Sequence, residues 1–183
     1  MVQIFTGLLL LFSIVTASSA LVTKRTVAQV ESDIANIATQ VSALDNSIKA
    51  FPDTGGSLLS ALAIHSSATS LISTLQTATT DTTATSAFSE SDGATILAAV
   101  QAFEPNILDA LTAIVEKQPA FQALPIGGIP ALVLQDLQNL NSGTTAFENA
   151  LIANSPTDLL AQANDIKTSI GDAFTTAIAA YSG

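Results

Sequence analysis

The sequence predicts an all-α protein, an antiparallel bundle of about five long amphipathic helices. Three observations predict it. Apolar residues recur at three- and four-residue spacing over long stretches. The links between those stretches are short and rich in Pro, Gly and helix-capping residues. No run shows the two-residue alternation that a half-buried strand requires. At 183 residues the chain has the length of one domain.

The first stretch is the clearest. Between Thr26 and Phe51, the residues Val27, Val30, Ile34, Ile37, Val41, Leu44, Ile48 and Phe51 fall on one helical stripe. Asp45 and Lys49 form an i,i+4 pair off that stripe. Pro52 and Gly55-Gly56 end it. A second helix is predicted from Leu58 to near Gln76, with a broad apolar arc of Leu58, Leu62, Ile64, Ala68, Leu71, Ile72 and Leu75. So broad an arc places this helix between neighbours. Threonine crowds residues 77–86 and disfavours a helix interior, so a frayed end and a loop are expected there. The same stretch is a candidate O-mannosylation tract.

Ser89 followed by Asp92 reads as an N-cap with an acid three positions on. The helix it opens carries Ile96, Leu97, Val100 and Phe103. Pro105 predicts a kink, and the pattern resumes with Ile107, Leu108, Leu111, Ile114 and Val115. Residues 119–130 are apolar yet full of breakers. Loops normally carry polar residues because their backbone must meet water. Phe121, Leu124, Ile126 and Ile129 therefore have two readings: a loop tucked over the bundle end, or a lid or surface-contact tip. A fourth helix follows over 131–153, with Val133, Leu137, Leu140, Thr144, Phe147 and Leu151 in register. The fifth is expected to open at Ser155-Pro156-Thr157-Asp158, with Ser155 as N-cap, and to run through Leu159, Ala163, Ile166, Ile170, Phe174, Ala177 and Tyr181.

Residues 1–20 read as a signal peptide. Ile4 to Val15 form an apolar run, and Ala17-Ser18-Ser19-Ala20 suits cleavage after Ala20. The run falls short of the ~20 residues that span a bilayer, so no transmembrane anchor is expected. Residues 21–25 end in Lys24-Arg25, which reads equally as a dibasic processing site or as a solvated pair. A single helical domain is expected over 26–183, in a secreted, extracellular protein.

Charge and composition exclude several functions. The net charge is −10, opposite in sign to the basic footprint of a nucleic-acid binder. Charged residues are only 11% and hydrophobic ones 48%, with mean hydropathy +0.49. The absence of Cys removes disulfides, thiolate zinc sites and thiol nucleophiles. His65 is the one histidine, so no His pair is available for zinc. Its place within the arc of Leu62 and Ile72 reads as a core or boundary position. No Gly-x-Ser-x-Gly elbow, Gly-rich phosphate loop or EF-hand pattern occurs. The carboxylates fall mostly on expected polar faces. No catalytic residue, metal site or cofactor is assigned, and the expectation is a non-enzyme.

The mature chain resembles the fungal hydrophobic surface binding protein A family, which includes cell-wall galactomannoproteins. The likeness is carried by the leader and dibasic pair, by the segment VESDIANIATQVSALDNSIKAF ending at Phe51, and by the Pro52–Gly56 break. It continues through the Thr-rich stretch, the Ser89–Asp92 helix start and the last helix with Tyr181, covering about residues 26–183. The resemblance implies a secreted five-helix domain that adsorbs to hydrophobic surfaces. It also implies, for some members, recruitment of a cutinase-like esterase to solid polyester, and for others a fatty acid held between the helices. The chain has no Ser/Thr-rich stalk after the last helix, which points to a freely secreted form.

The function expected is therefore binding of an apolar surface or a fatty acid. The stripe residues Ile37, Val41, Leu62, Leu111, Phe147 and Phe174 are the candidate ligand contacts. Phe121, Leu124, Ile126 and Ile129 are the candidate surface loop. The alternative is a structural cell-wall mannoprotein without a specific ligand. The many alanines on the apolar faces fit either close helix packing or a tunnel.

Overall fold

The computed structural model describes residues 26–183. The expected signal peptide and the Lys24-Arg25 pair lie outside the described residues. The helices are α1 (Val27–Lys49), α2 (Leu58–Thr83), α3 (Glu90–Glu116), the short α4 (Gln118–Gln122), α5 (Ile129–Asn154) and α6 (Leu160–Tyr181). A 3-10 turn, Thr157–Leu159, precedes α6. No strand occurs among the described residues.

Helix starts follow local chemistry. Thr26 and Ser57 accept from the backbone N–H of Gln29 and Ser60, capping α1 and α2. Ser89 accepts from Asp92 N–H and its hydroxyl donates to the Asp92 carboxylate at 2.7 Å, forming the N-cap expected at α3. Gly128, at φ 96°, turns the chain into α5 through a left-handed conformation open to glycine.

The five long helices form a closed ring. α1 lies between α2 and α3, α5 between α2 and α6, and α6 between α5 and α3. Helices across the ring scarcely touch. Successive helices reverse direction, but several ring neighbours run parallel. In α2 and α5, His65 meets Asp136 and Thr82 meets Asn154, so the numbers rise together. The same holds for α1 and α3 (Ser42 with Asn106, Lys49 with Asp109). Sequence-adjacent α2 and α3 are not neighbours. Their link must cross one end of the ring, where Phe88 is buried and its N–H donates to Asn154 O. The α3-to-α5 link crosses the other end. There Phe121 stacks on Phe51 with ring centroids 4.4 Å apart.

Three local expectations are corrected. The Thr-rich stretch is not a loop: α2 continues to Thr83. Ala78, Asp81 and Thr82 are buried there, so packing outweighs threonine's weak helix preference. The hydroxyls of Thr77, Thr79, Thr80 and Thr83 donate to carbonyls four residues back and need no other partner. Ser155 does not cap the last helix. Its hydroxyl donates to Leu151 O and serves the end of α5 instead. Residues 118–122 of the breaker-rich segment form α4, with Pro119 in its first turn, where a missing N–H costs nothing. α3 itself runs on past Pro105.

α2 is apolar and long enough to cross a membrane by length and composition. In this fold its inward face packs against α1 and α5.

Gly93, in the first turn of α3, packs closely against the turn that leads into α6. A Cβ there would lie 2.7 Å from Pro156 Cδ and 3.0 Å from Leu159 Cδ1, whereas one at Gly171 meets nothing within 4 Å. Alanine gains about 1 kcal/mol over glycine in a helix, and overpacking costs about 1–3 kcal/mol. Gly171→Ala is therefore expected to raise the melting temperature and Gly93→Ala to lower it, as read by thermal circular dichroism.

Candidate functional site

A ring of five helices leaves space on its axis unless side chains fill it. Here the filling is incomplete. An apolar cavity of about 100 Å³ runs along the axis. Every long helix contributes to its wall: Ile37 and Val41 from α1, Leu71 from α2, Leu111 from α3, Phe147 from α5 and Phe174 from α6. The inward residues of α2 include Ala61 and Ala68, whose short side chains leave the axis open.

Of the stripe residues singled out from sequence, Ile37, Val41, Leu111, Phe147 and Phe174 are buried and line this cavity. Leu62 does not, and is corrected: its side chain is 42% exposed. The inward stripe of α2 is Ala61, Ile64, Ala68, Leu71 and Leu75. Leu62 lies one residue, about 100° of helix rotation, from Ala61. Hydrophobicity alone favours Leu62 over the smaller Ala61 at this point of the helix.

The four loop residues divide. Phe121, Leu124 and Ile129 are buried, and Phe121 and Ile129 form the floor of the cavity. Only Ile126 points outward, at 52% exposure. The exposed Leu59 and Leu62 lie in the first turns of α2, at the same end of the ring.

The polar residues in the wall are His65, Asp136, Thr144 and Glu148. His65 Nδ1 lies 2.8 and 3.0 Å from the two Asp136 carboxylate oxygens, so these residues satisfy each other between α2 and α5. Burial raises the Asp136 carboxyl above the usual range, and the His65 imidazole offsets part of that rise. Glu148 lies 12 residues further along α5, about 18 Å at 1.5 Å per residue. Its Oε1 is buried without a hydrogen-bond partner. Burial pushes its carboxyl up to about 7, against a smaller opposing pull from Lys167. Glu148 also lines a smaller pocket between α3, α5 and α6, so it stands where the two spaces adjoin. Most carboxylates keep to the polar faces as expected, with four exceptions. Asp45, Asp81 and Asp136 are buried, and Glu148 is half-buried in the cavity wall. The available signal was the register: Asp136 adjoins Leu137, and Glu148 adjoins Phe147, both on the apolar stripe.

Among the described residues no three His, Asp or Glu side chains converge as metal ligands. What the site offers is an apolar space with polar groups toward each end. The model of the family described as hydrophobic surface binding protein A matches residues 27–153.

The chain belongs to the hydrophobic surface binding protein A family.

Solved structures share the fold. A crystal structure of AFMP4P in complex with palmitic acid is 33% identical, with a TM-score of 0.79 over 85% of this chain and 99% of the other. Ligand binding domain 1 of Penicillium marneffei MP1 protein, complexed with arachidonic acids, shares the fold at 18% identity. Its TM-score is 0.77 over 86% of this chain and 99% of the other. Domain 2 of the same protein, complexed with multiple arachidonic acids, matches at 17% identity and TM-score 0.76, over 88% of this chain and 99% of the other. No curated protein sequence matches this chain.

In this member of the hydrophobic surface binding protein A family, Glu148 makes stability depend on pH. Its folded pKa, about 7, lies above the ordinary 4.5. The folded state therefore holds the proton more tightly, and stability falls as pH rises between those values. The side chain is partly solvated, so the loss is roughly 1–3 kcal/mol. Glu148→Gln is expected to remove this loss and to be more stable than wild type at pH 8, but not at pH 4, in urea unfolding.

Proposed function

We propose that this protein is a secreted, non-catalytic carrier of long-chain lipid, with one acyl chain in the axial cavity. The observation that carries this reading is the incompletely filled ring axis, walled almost wholly by aliphatic and phenyl side chains. Family membership and a 33% identical relative crystallised with palmitic acid support it. Secretion rests on the apolar leader in residues 1–20.

Each methylene buried contributes about 0.8 kcal/mol, roughly fourfold in affinity. Titration with saturated fatty acids of increasing length should give single stoichiometry and an affinity that climbs with length. The climb slackens once the existing space is full and side chains must turn. Leu111→Trp, which fills the cavity, should lower affinity at least tenfold while circular dichroism keeps its helical signature. Equal affinity at every length, or full binding by Leu111→Trp, would overturn the pocket.

A second activity, adsorption to a solid apolar surface, rests on a separate observation. Leu59, Leu62 and Ile126 are exposed at one end of the ring, near the cavity floor. We propose this end as the contact tip, at which the protein brings a cutinase-like esterase to polyester. The triple change of these residues to Ser should weaken adsorption to polyester beads severalfold and leave fatty-acid titration unchanged. The structural wall-protein alternative draws on Thr77, Thr80 and Thr83, exposed along α2 as possible glycan sites. Cell fractionation separates them: a carrier leaves with the medium, whereas a wall protein stays with the wall.

A further inference from the structure

The three lysines of residues 26–183 are already engaged. Lys49 pairs with Asp45 at 2.9 Å and Asp109 at 3.3 Å. Lys117 pairs with Asp53 at 2.6 Å, and Lys167 donates to Asn149 Oδ1 at 2.6 Å. No arginine occurs in this span. A fatty-acid anion entering the cavity therefore finds no uncommitted lysine or arginine among the described residues. What it finds in the wall is acceptors. Asp136 is taken up by His65. Glu148 is not taken up: Oε1 is buried and unpartnered, beside the apolar wall. An acceptor buried in this way costs free energy until a donor reaches it. Thr144, one turn earlier on the same face of α5, lines the same space and adds a hydroxyl.

We propose that Glu148 is the polar anchor of the cavity, and that it selects lipids whose polar end donates a proton, long-chain alcohols and un-ionised fatty acids, over fatty-acid anions. This rests on the lipid-carrier reading above and adds the headgroup chemistry to it. The lipid lies with its polar end at Glu148 and its tail toward the Phe51–Phe121 stack. An alcohol O–H donates to Oε1 whether or not Glu148 is ionised. A fatty acid and Glu148 must share a proton, because two carboxylates in contact repel in an apolar wall. One proton held between two carboxyl groups makes fatty-acid binding proton-linked. It is strong where Glu148 is protonated and is lost as pH rises through 7.

The surroundings of Glu148 set this linkage. From α6, Lys167 pulls its pKa down, by less than burial raises it. From α3 the neighbouring pocket presents Ile96, Leu97 and Val100, none of them charged. The titratable groups of α2 are His65, held by Asp136 further along the ring, and Asp81, buried near its end.

The test uses the whole secreted protein, with dodecanoic acid and dodecan-1-ol competing against a neutral apolar dye at pH 6 and pH 8. Dodecanoic acid should lose about tenfold in affinity between the two, the factor for one proton held with a pKa of about 7. Dodecan-1-ol should change by less than twofold. Glu148→Gln, whose amide N–H can donate to an anion, should bind dodecanoic acid with little change over the same range. Equal losses for acid and alcohol would overturn the proposal, because the pH effect would then be general. Undiminished binding of the acid at pH 8 would overturn it in favour of an anion site at Lys167. An unchanged tenfold loss in Glu148→Gln would assign the proton to another group and overturn it as well. Failure of both lipids to displace the dye at either pH removes the carrier reading itself, whereas the other failures leave that reading standing.

Discussion

The constraint on which this structure depends is the ring. Five helices pack side by side, each against two neighbours, and those across the ring scarcely touch. Two packed helices approach to about 8–10 Å. A ring of five therefore encloses a column that side chains alone must fill. On α2 the inward stripe is small where it carries Ala61 and Ala68, and the column is left partly empty. An ordinary core resists such emptiness, because unfilled volume forfeits dispersion contacts and costs stability. The cavity thus has a steric cause that can be traced to particular residues.

The ends of the ring are closed by the two links that must cross it. One brings Phe88 under the end of α5, with Asn154 holding both sides: its backbone carbonyl accepts from Phe88 N–H and its amide donates to Thr82 O. The other folds residues 118–122 into α4 and lays Phe121 on Phe51. Gly56 allows this closure, since a Cβ there would lie 2.5 Å from the Phe51 ring. Tyr181 adds a strut, donating to Ile114 O at 2.7 Å between α6 and α3. Its phenol is raised above its ordinary range by burial. The apolar residues of a breaker-rich loop are thereby largely explained: Phe121, Leu124 and Ile129 are the buried plug of a hollow bundle, while Ile126 stays outside.

Polar chemistry in the column sits at two levels along α5. His65 and Asp136 neutralise each other's hydrogen-bonding demand and tie α5 to α2. Glu148 keeps an oxygen in reserve. A satisfied pair holds the wall together, whereas an unsatisfied acceptor favours whatever brings it a donor. The same fold thus separates a structural polar contact from one available to a guest.

The sequence by itself determined the helical class, the stripes and most helix ends. Period-3.6 patterning and side-chain caps are local, so Val30 to Ile48 and the Ser89 cap of α3 are legible without a partner. The residues buried from α1, α3, α5 and α6, including Ile37, Val41, Leu111, Phe147 and Phe174, followed from the same pattern. Only the tertiary structure decided which helices are neighbours, because a short link fixes direction but not the side on which the next helix docks. It carried α2 through its threonines, since burial of Ala78 and Thr82 is a contact with neighbouring helices and not a propensity. It turned Leu62 outward and Ala61 inward, a matter of about 100° that hydrophobicity cannot resolve when alanines line a cavity. It placed Glu148 in the wall, because an acid on the border of an apolar stripe is solvated or buried according to the neighbour that covers it.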